Sequence, residues 1–215
     1  MKNFKLKLIC AATAFAVAGV PMLAQAESST QSALTGALTA TARVDVQITV
    51  PKVLFLRVGT GGLYGAAAVA TIDLISYTVP AANLGNGTAV TATSGGDVAP
   101  GSVTALLRSN AGAVTLTANT LGAISNGAGD TIPWSQIAVA SANLVAPAFA
   151  NTLPHSVALP LTGASANFAP AAVAKVTNVG STWTYTYLNQ VTVPAGTYGG
   201  VNTNNGRVTY TASVL

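Results

Sequence analysis

A two-residue alternation of apolar and polar side chains near the C-terminus most constrains how this chain folds. Within residues 181–215, Trp183, Tyr185 and Tyr187 alternate with threonines, and the same pattern returns in residues 207–214. Successive side chains of a strand point to opposite faces, so this period is typical of strands with one buried face. Large aromatic rings dominate the burial of a core. We therefore expect this stretch to form a β-meander that anchors the core.

Short apolar runs separated by turn residues continue this pattern through the rest of the chain. Asn205-Gly206 is the dipeptide best suited to a type I′ hairpin. Strands recurring every 8–12 residues between Gly, Pro and Asn clusters indicate an all-β sandwich. The sequence therefore predicts a single antiparallel β-sandwich of immunoglobulin or pilin type. Its candidate strands are residues 53–58, 72–79, 88–93, 103–107, 113–119 and 132–140.

The first 26 residues have the pattern of a secretory signal peptide. Three lysines precede an apolar run that ends at Ala24-Gln25-Ala26, a cleavage signal, and the run is too short for a membrane span. We expect the mature chain to begin at Glu27 and to be exported. Without the signal peptide the chain keeps no cysteine and only a small net positive charge. It therefore has no disulfide and no basic patch for nucleic acid.

The longest alternation runs from Leu34 to Val50. It is too long for one ordinary strand, which has about 5–6 residues. We predict that it divides into an N-terminal arm at residues 27–41 and the first strand of the sandwich at residues 42–50. The sandwich domain would then span residues 42–215.

Residues that could carry chemistry are few and scattered. His155 is the only histidine, in a proline-flanked loop, and we expect it to be solvated and without a catalytic role. The mature chain has five acidic residues, none within ten of another, so neither a paired-carboxylate site nor a metal site is indicated. The glycines after residue 58 lack the dinucleotide-binding spacing. We therefore expect no catalytic residue, no cofactor and no metal.

Two tryptophans could offer a platform for a sugar ring. Trp183 shares a strand face with Tyr185 and Tyr187, which favours a place in the core. Trp134 follows Pro133, and the sequence alone does not decide whether its ring faces the core or the solvent.

The C-terminal segments PAGTY, residues 194–198, and VTYTAS, residues 208–213, together with the signal peptide and the alternating N-terminal segment, give a family resemblance. The chain resembles subunits of bacterial fimbriae and related exported immunoglobulin-like sandwich proteins. The resemblance implies a subunit that lacks one strand, whose groove is held open by a periplasmic chaperone and then filled by the N-terminal arm of a neighbour. Four arm residues are the candidates for this contact: Leu34, Gly36, Leu38 and Ala40.

These observations predict a non-enzymatic, exported structural or adhesive subunit of the cell surface, of fimbrial type. It would pass from the periplasm to the surface and self-associate through its arm. The alternative is a monomeric secreted module that binds carbohydrate or cell wall. Neither nucleic acid nor integration into a membrane is expected.

Overall fold

The computed structural model describes residues 28–144, 149, 151–160 and 165–214. It divides the chain into two units, Met1–Val50 and Pro51–Leu215. The predicted signal peptide and Glu27 lie outside the described residues. Among those that are described, no helix is long and apolar enough to cross a membrane.

All the described strands belong to the second unit, which also contains two short 3-10 turns at Ala81–Asn83 and Trp134–Gln136. In chain order the strands are β1 (Leu54–Val58), β2 (Val90–Thr91), β3 (Ser102–Ser109), β4 (Val114–Thr120), β5 (Ile124–Ser125), β6 (Thr131–Ile132), β7 (Ile137–Asn143), β8 (Ser165–Phe168), β9 (Thr177–Tyr187) and β10 (Val208–Val214).

A five-stranded antiparallel sheet is built around β9, the longest strand. β9 is rich in threonine, valine and aromatic residues and lacks proline, which favours a central position. One side of β9 pairs with β3, from Ser102↔Thr184 to Ser109↔Thr177, and then with the short β2. Its other side pairs with β7. β1 pairs with the far side of β3 and ends the sheet.

A three-stranded antiparallel sheet has β4 at its centre, with β10 on one side and β8 on the other. Alternate residues of β4, Val114, Leu116 and Ala118, are buried, whereas Thr115 between them is exposed. The two sheets bury one continuous core, to which β3, β4 and β9 contribute most. The predicted all-β antiparallel sandwich is confirmed.

The aromatic stretch anchors the core as predicted, but it is not a meander. Trp183 is completely buried, and its ring centroid lies 5.1 Å from that of Tyr210. β9 and β10 belong to different sheets, so these rings meet across the core. The alternation fixes which face of each strand is buried, but it does not determine which strands pair.

The predicted turn before β10 is shifted by one residue. Asn204 and Asn205 have φ angles of 50° and 56°, and Gly206 N–H donates to the Thr203 carbonyl at 2.9 Å. Two consecutive positive φ angles are the requirement of a type I′ turn. Asparagine tolerates this region, so the Asn-Asn pair takes the place predicted for Asn-Gly.

Two other strand predictions are corrected. Residues 72–79 form no strand and make a single bridge, Ser76↔Ser94; there the Asp73 carboxylate accepts hydrogen bonds from the backbone and side chain of Thr60. Residues 132–140 divide because Pro133 has no N–H to donate, and the 3-10 turn after it buries Trp134 before β7 begins.

Candidate functional site

The segment 28–50, called the N-terminal arm from here on, includes the predicted arm and the nine residues after it, and it carries an apolar stripe that no described residue covers. Residues 28–50 are exposed throughout and form no strand. The side chains of Val44, Val46, Ile48 and Val50 are between 71% and 81% exposed. Isolated exposed apolar residues are common, but a regular row of β-branched side chains is typical of a segment that forms a strand when it pairs with a sheet edge.

The four predicted partner-binding residues also lie in this exposed segment. Leu34 and Leu38 are exposed, Gly36 has a φ of 104°, and Ala40 is exposed as well. The structure differs from the sequence prediction for residues 42–50, which form no strand, since the first strand begins at Leu54. The alternation had suggested a strand, but a strand also needs a neighbouring edge for its backbone hydrogen bonds.

One side of the sandwich offers such edges. β10 pairs only with β4, and β1 pairs only with β3; the two edge strands lie next to each other. Neither hydrogen-bonds to the other as a strand pair among the described residues. Each therefore presents one row of backbone N–H and carbonyl groups without a strand partner.

Burial along β10 shows the same opening. The inward-facing Val208, Tyr210, Ala212 and Val214 are only half-buried, whereas their partners on β4 in the same register are fully buried. On β1, the inward-facing Leu56 and Val58 are half-buried too. An additional strand along this side would complete the burial of both rows. Burying one Val or Ile side chain contributes about 1.5–3 kcal/mol.

The opposite side of the sandwich is closed by residues 151–160. Asn151 bridges to Val179, and Leu153 N–H donates to the Ser181 hydroxyl at 2.9 Å. The indole N–H of Trp183 donates to the Leu153 carbonyl at 2.8 Å. Leu153 is completely buried. These contacts close the space between the sheets beside β9; among the described strands, β7 and β8 still pair with one strand each, as β1 and β10 do.

His155 lies within this closing segment. The sequence had suggested a solvated side chain, but the structure shows that it is half-buried. Its Nδ1 lies 2.9 Å from the Val157 carbonyl and its Nε2 lies 2.9 Å from the Tyr210 hydroxyl. A carbonyl only accepts, so Nδ1 carries the proton and Nε2 accepts from Tyr210. The Tyr185 hydroxyl, 2.9 Å from that of Tyr210, completes the chain of hydrogen bonds.

Burial sets the protonation state of this network. Loss of solvation lowers the pKa of His155, an effect that the hydrogen bond to Val157 partly offsets. Burial likewise raises the pKa of the Tyr210 hydroxyl. The imidazole is enclosed by the rings of Phe168, Trp183 and Tyr210, at centroid distances of 5.4, 4.9 and 5.6 Å. His155 is thus held neutral in an aromatic box, where it ties β10 to the closing segment.

The two tryptophans and two of the acidic residues have structural roles. Trp134 is 5% exposed and donates to the Gly122 carbonyl, and Trp183 is in the core, so neither offers a ring face for a sugar. Asp97 pairs with Arg57 at 2.6 Å, and Asp130 accepts from the Asn126 side chain. Across the part of the chain that is described, no three metal-ligating side chains gather.

Sequence reasoning missed the open edge itself and the place of His155. A free edge depends on strand order, which no local pattern encodes. One signal was available, since the stripe from Val44 to Val50 is more β-branched than residues 34–41. That composition would have placed the donor segment later in the arm.

No protein-family model, curated protein or solved structure matches this chain.

Proposed function

We propose that this chain is an exported structural or adhesive subunit of the cell surface, of fimbrial type, that associates with copies of itself through its N-terminal arm. The observation that carries the proposal is the uncovered stripe from Val44 to Val50, in a chain whose sandwich leaves β10 and β1 unpaired on one side. In the proposed assembly the protein has no catalytic role.

Strand addition is the mode of contact that these features favour. An extended segment added to a sheet edge gains main-chain hydrogen bonds, and alternate side chains fill the positions between the sheets. The stripe repeats every second residue, which matches the spacing of the half-buried row on β10. Donation from one copy to the next is head-to-tail and does not close, so it would produce filaments.

The remaining parts of the proposal rest on the sequence. The signal peptide pattern at residues 1–26 supports export through the periplasm, and the resemblance to fimbrial subunits supports an immunoglobulin-like topology and a periplasmic chaperone. The alternative, a monomeric carbohydrate- or cell-wall-binding module, is favoured by one cavity, described in the next subsection.

A charge-placement experiment tests the arm. Ile48→Asp introduces a carboxylate into the stripe, and Gln47→Asp introduces the same charge one residue away on the opposite side of the extended chain. We expect the mature wild-type protein and Gln47→Asp to form filaments or higher oligomers, as measured by sedimentation and electron microscopy of protein and producing cells. Ile48→Asp should remain monomeric.

A Leu38→Asp variant shows whether residues 34–40 also take part, since a monomeric Leu38→Asp protein would extend the donor segment to the residues first predicted. Assembly of Ile48→Asp to the same extent as the wild type would rule out the stripe as the donor. A wild-type protein that stays monomeric at all concentrations and on cells would favour the binding module.

A further inference from the structure

Arg108 is a cation without an acidic partner. It lies on the outer face of the five-stranded sheet, opposite Phe55 on β1 and Asn178 on β9. Its guanidinium carbon is 5.8 Å from the ring centroid of Tyr64 and 5.5 Å from that of Phe149. Aromatic faces attract the charge but accept none of the five N–H hydrogen bonds. No ion pair or hydrogen bond joins its side chain to another group among the described residues.

Arg57 lies on the same sheet face, but its guanidinium group has partners within the chain. It pairs with Asp97 at 2.6 Å and donates from Nε to the Gly59 carbonyl at 2.8 Å. The donors of Arg108 are left for something outside the chain.

Arg108 borders a cavity of about 290 Å³ at the end of the sheet, where β3 ends and β9 begins. This volume is near the lower limit of small-ligand sites, which span roughly 300–1,000 Å³, so it would hold a ligand about the size of one sugar ring. The polar and aromatic residues that line it are Tyr64, Arg108, Ser109, Asn110, Thr177 and Asn178.

Two residues of this cavity hold polar atoms with no partner. Thr177 Oγ1 and Asn178 Oδ1 are buried and make no hydrogen bond; in the described part of the chain only Tyr77 has another such oxygen. An unpaired buried polar atom costs about 1–3 kcal/mol, so each needs an explanation. Thr177 pairs with Ser109 on the core face, whereas Asn178 pairs with Arg108 on the outer face. The unpaired oxygen of Asn178 beside an arginine without an acidic partner therefore favours a site that a ligand completes.

The remaining amides and the aromatic ring are already fixed. Asn110 is held by hydrogen bonds with Val53 N–H and the Pro51 carbonyl. The ring of Tyr64 packs edge-on against Phe55, at a centroid distance of 5.8 Å, and Tyr64 is about half exposed. Tyr64 therefore offers a positioned ring next to the cation.

We propose that the Arg108 cavity binds a carboxylated sugar of monosaccharide size. The guanidinium fork matches the two oxygens of a carboxylate, and the ring of Tyr64 offers a face for the C–H groups of a pyranose. Asn178 Oδ1 accepts a hydrogen bond from a ligand hydroxyl once its amide group turns toward the cavity. A ligand with a carboxylate and hydroxyl groups on one ring satisfies both requirements. Binding does not depend on the arm, so it can fail or succeed independently of assembly.

Calorimetry with the mature protein tests the proposal, using glucuronate as the probe, glucose as its uncharged match and acetate as a carboxylate without hydroxyls. We expect glucuronate to bind at least tenfold more tightly than either. Arg108→Gln should abolish this preference, whereas Arg207→Gln, which removes the same charge from the start of β10, should not. Galacturonate differs from glucuronate in the configuration of one hydroxyl, so the ratio of their affinities measures how strongly the site recognises the hydroxyl groups.

Two further variants keep the test decisive if Arg108→Gln unfolds. Asn178→Asp places a negative charge opposite Arg108, so it should weaken glucuronate binding at least tenfold in a protein that still unfolds cooperatively in urea. Arg108→Lys keeps the charge but loses the fork, and it should also bind less tightly. Equal binding of glucuronate and glucose, binding of acetate as tight as that of glucuronate, or unchanged binding in Asn178→Asp would each overturn the proposal. Retained glucuronate binding by the Ile48→Asp protein separates this site from the arm.

Discussion

His155 joins the closing segment to both sheets through a neutral imidazole. The Tyr210 hydroxyl that donates to it belongs to β10, and Tyr185, next in the chain of hydrogen bonds, belongs to β9. If His155 were protonated, Nε2 would become a donor and the direction of this chain would have to reverse. The folded state should therefore resist protonation of His155, which is the direction in which burial moves its pKa.

This arrangement predicts a dependence of stability on pH. The folded pKa of His155 lies below the ordinary histidine value of 6.5, so the unfolded chain binds the proton first as the pH falls. The free energy of unfolding should be constant above about pH 7 and decrease as the pH falls below 6.5, by at most about 1.4 kcal/mol per pH unit for one proton. Urea denaturation at pH 5–8 measures it.

The chain has a single histidine, so this pH window isolates one group; carboxylates titrate mainly near pH 4. A His155→Gln protein keeps an acceptor for Tyr210 but has no group that titrates here, and its stability should not change across the window. The assignment fails if the wild-type curve is flat, or if the glutamine variant loses stability to the same extent.

At the scale of elements, the alternation predicts strands well where a neighbouring strand supplies backbone partners. β3, β4, β9 and β10 all overlap the stretches that the pattern predicted, and in β9 the predicted face is buried, as Trp183 shows. The pattern fails at residues 72–79, where the chain makes only the bridge Ser76↔Ser94 and the Asp73 carboxylate binds the Thr60 loop instead. It also fails at residues 42–50, which form no strand.

The turn before β3 provides a test of backbone strain at this scale. Gly95 has a φ of 85°, and a Cβ there would overlap the backbone carbonyl of Leu74. Gly87 has a similar φ of 78°, but a Cβ there would meet nothing within 4 Å. Gly87→Ala should therefore cost about 1–2 kcal/mol, the penalty of the left-handed conformation. Gly95→Ala should cost about 1–3 kcal/mol more because the backbone must move.

Unfolding midpoints in urea for the two alanine variants give the comparison. The matched φ angles cancel the conformational penalty, so the difference between the variants reports the overlap with Leu74. Equal destabilisation would show that residues near Leu74 adjust freely, and that this turn does not hold β2 and β3 in place.

At the scale of the whole molecule, the division at Val50 predicts an autonomous sandwich. All the described strands lie within Pro51–Leu215, and the core contains no described residue of the arm. A protein that begins at Pro51 should therefore keep the urea midpoint and denaturant slope of the mature chain, because the slope follows the surface exposed on unfolding. Removal of residues 207–215 is the matched deletion, and it should unfold the protein, since β4 would lose β10.

A lower midpoint for the protein that begins at Pro51 would place part of the arm in the fold of a single subunit, against the view of the arm as a donor. The candidate site that binds a carboxylate at Arg108 was even harder to predict from the sequence than the boundary at Val50. Arg108, Tyr64 and Asn178 are separated by 44 and 70 positions along the chain, and only the pairing of β3 with β9 brings two of them together.

The strand order also sets when this protein can fold. β3 pairs with β9 and β4 pairs with β10. The five-stranded sheet therefore needs the chain up to Tyr187, and the three-stranded sheet needs it up to Val214. Pairings between distant segments are slow to form, on the order of milliseconds to seconds. A growing chain therefore cannot complete either sheet through most of its synthesis, and stable structure is delayed until β9 and then β10 have been made.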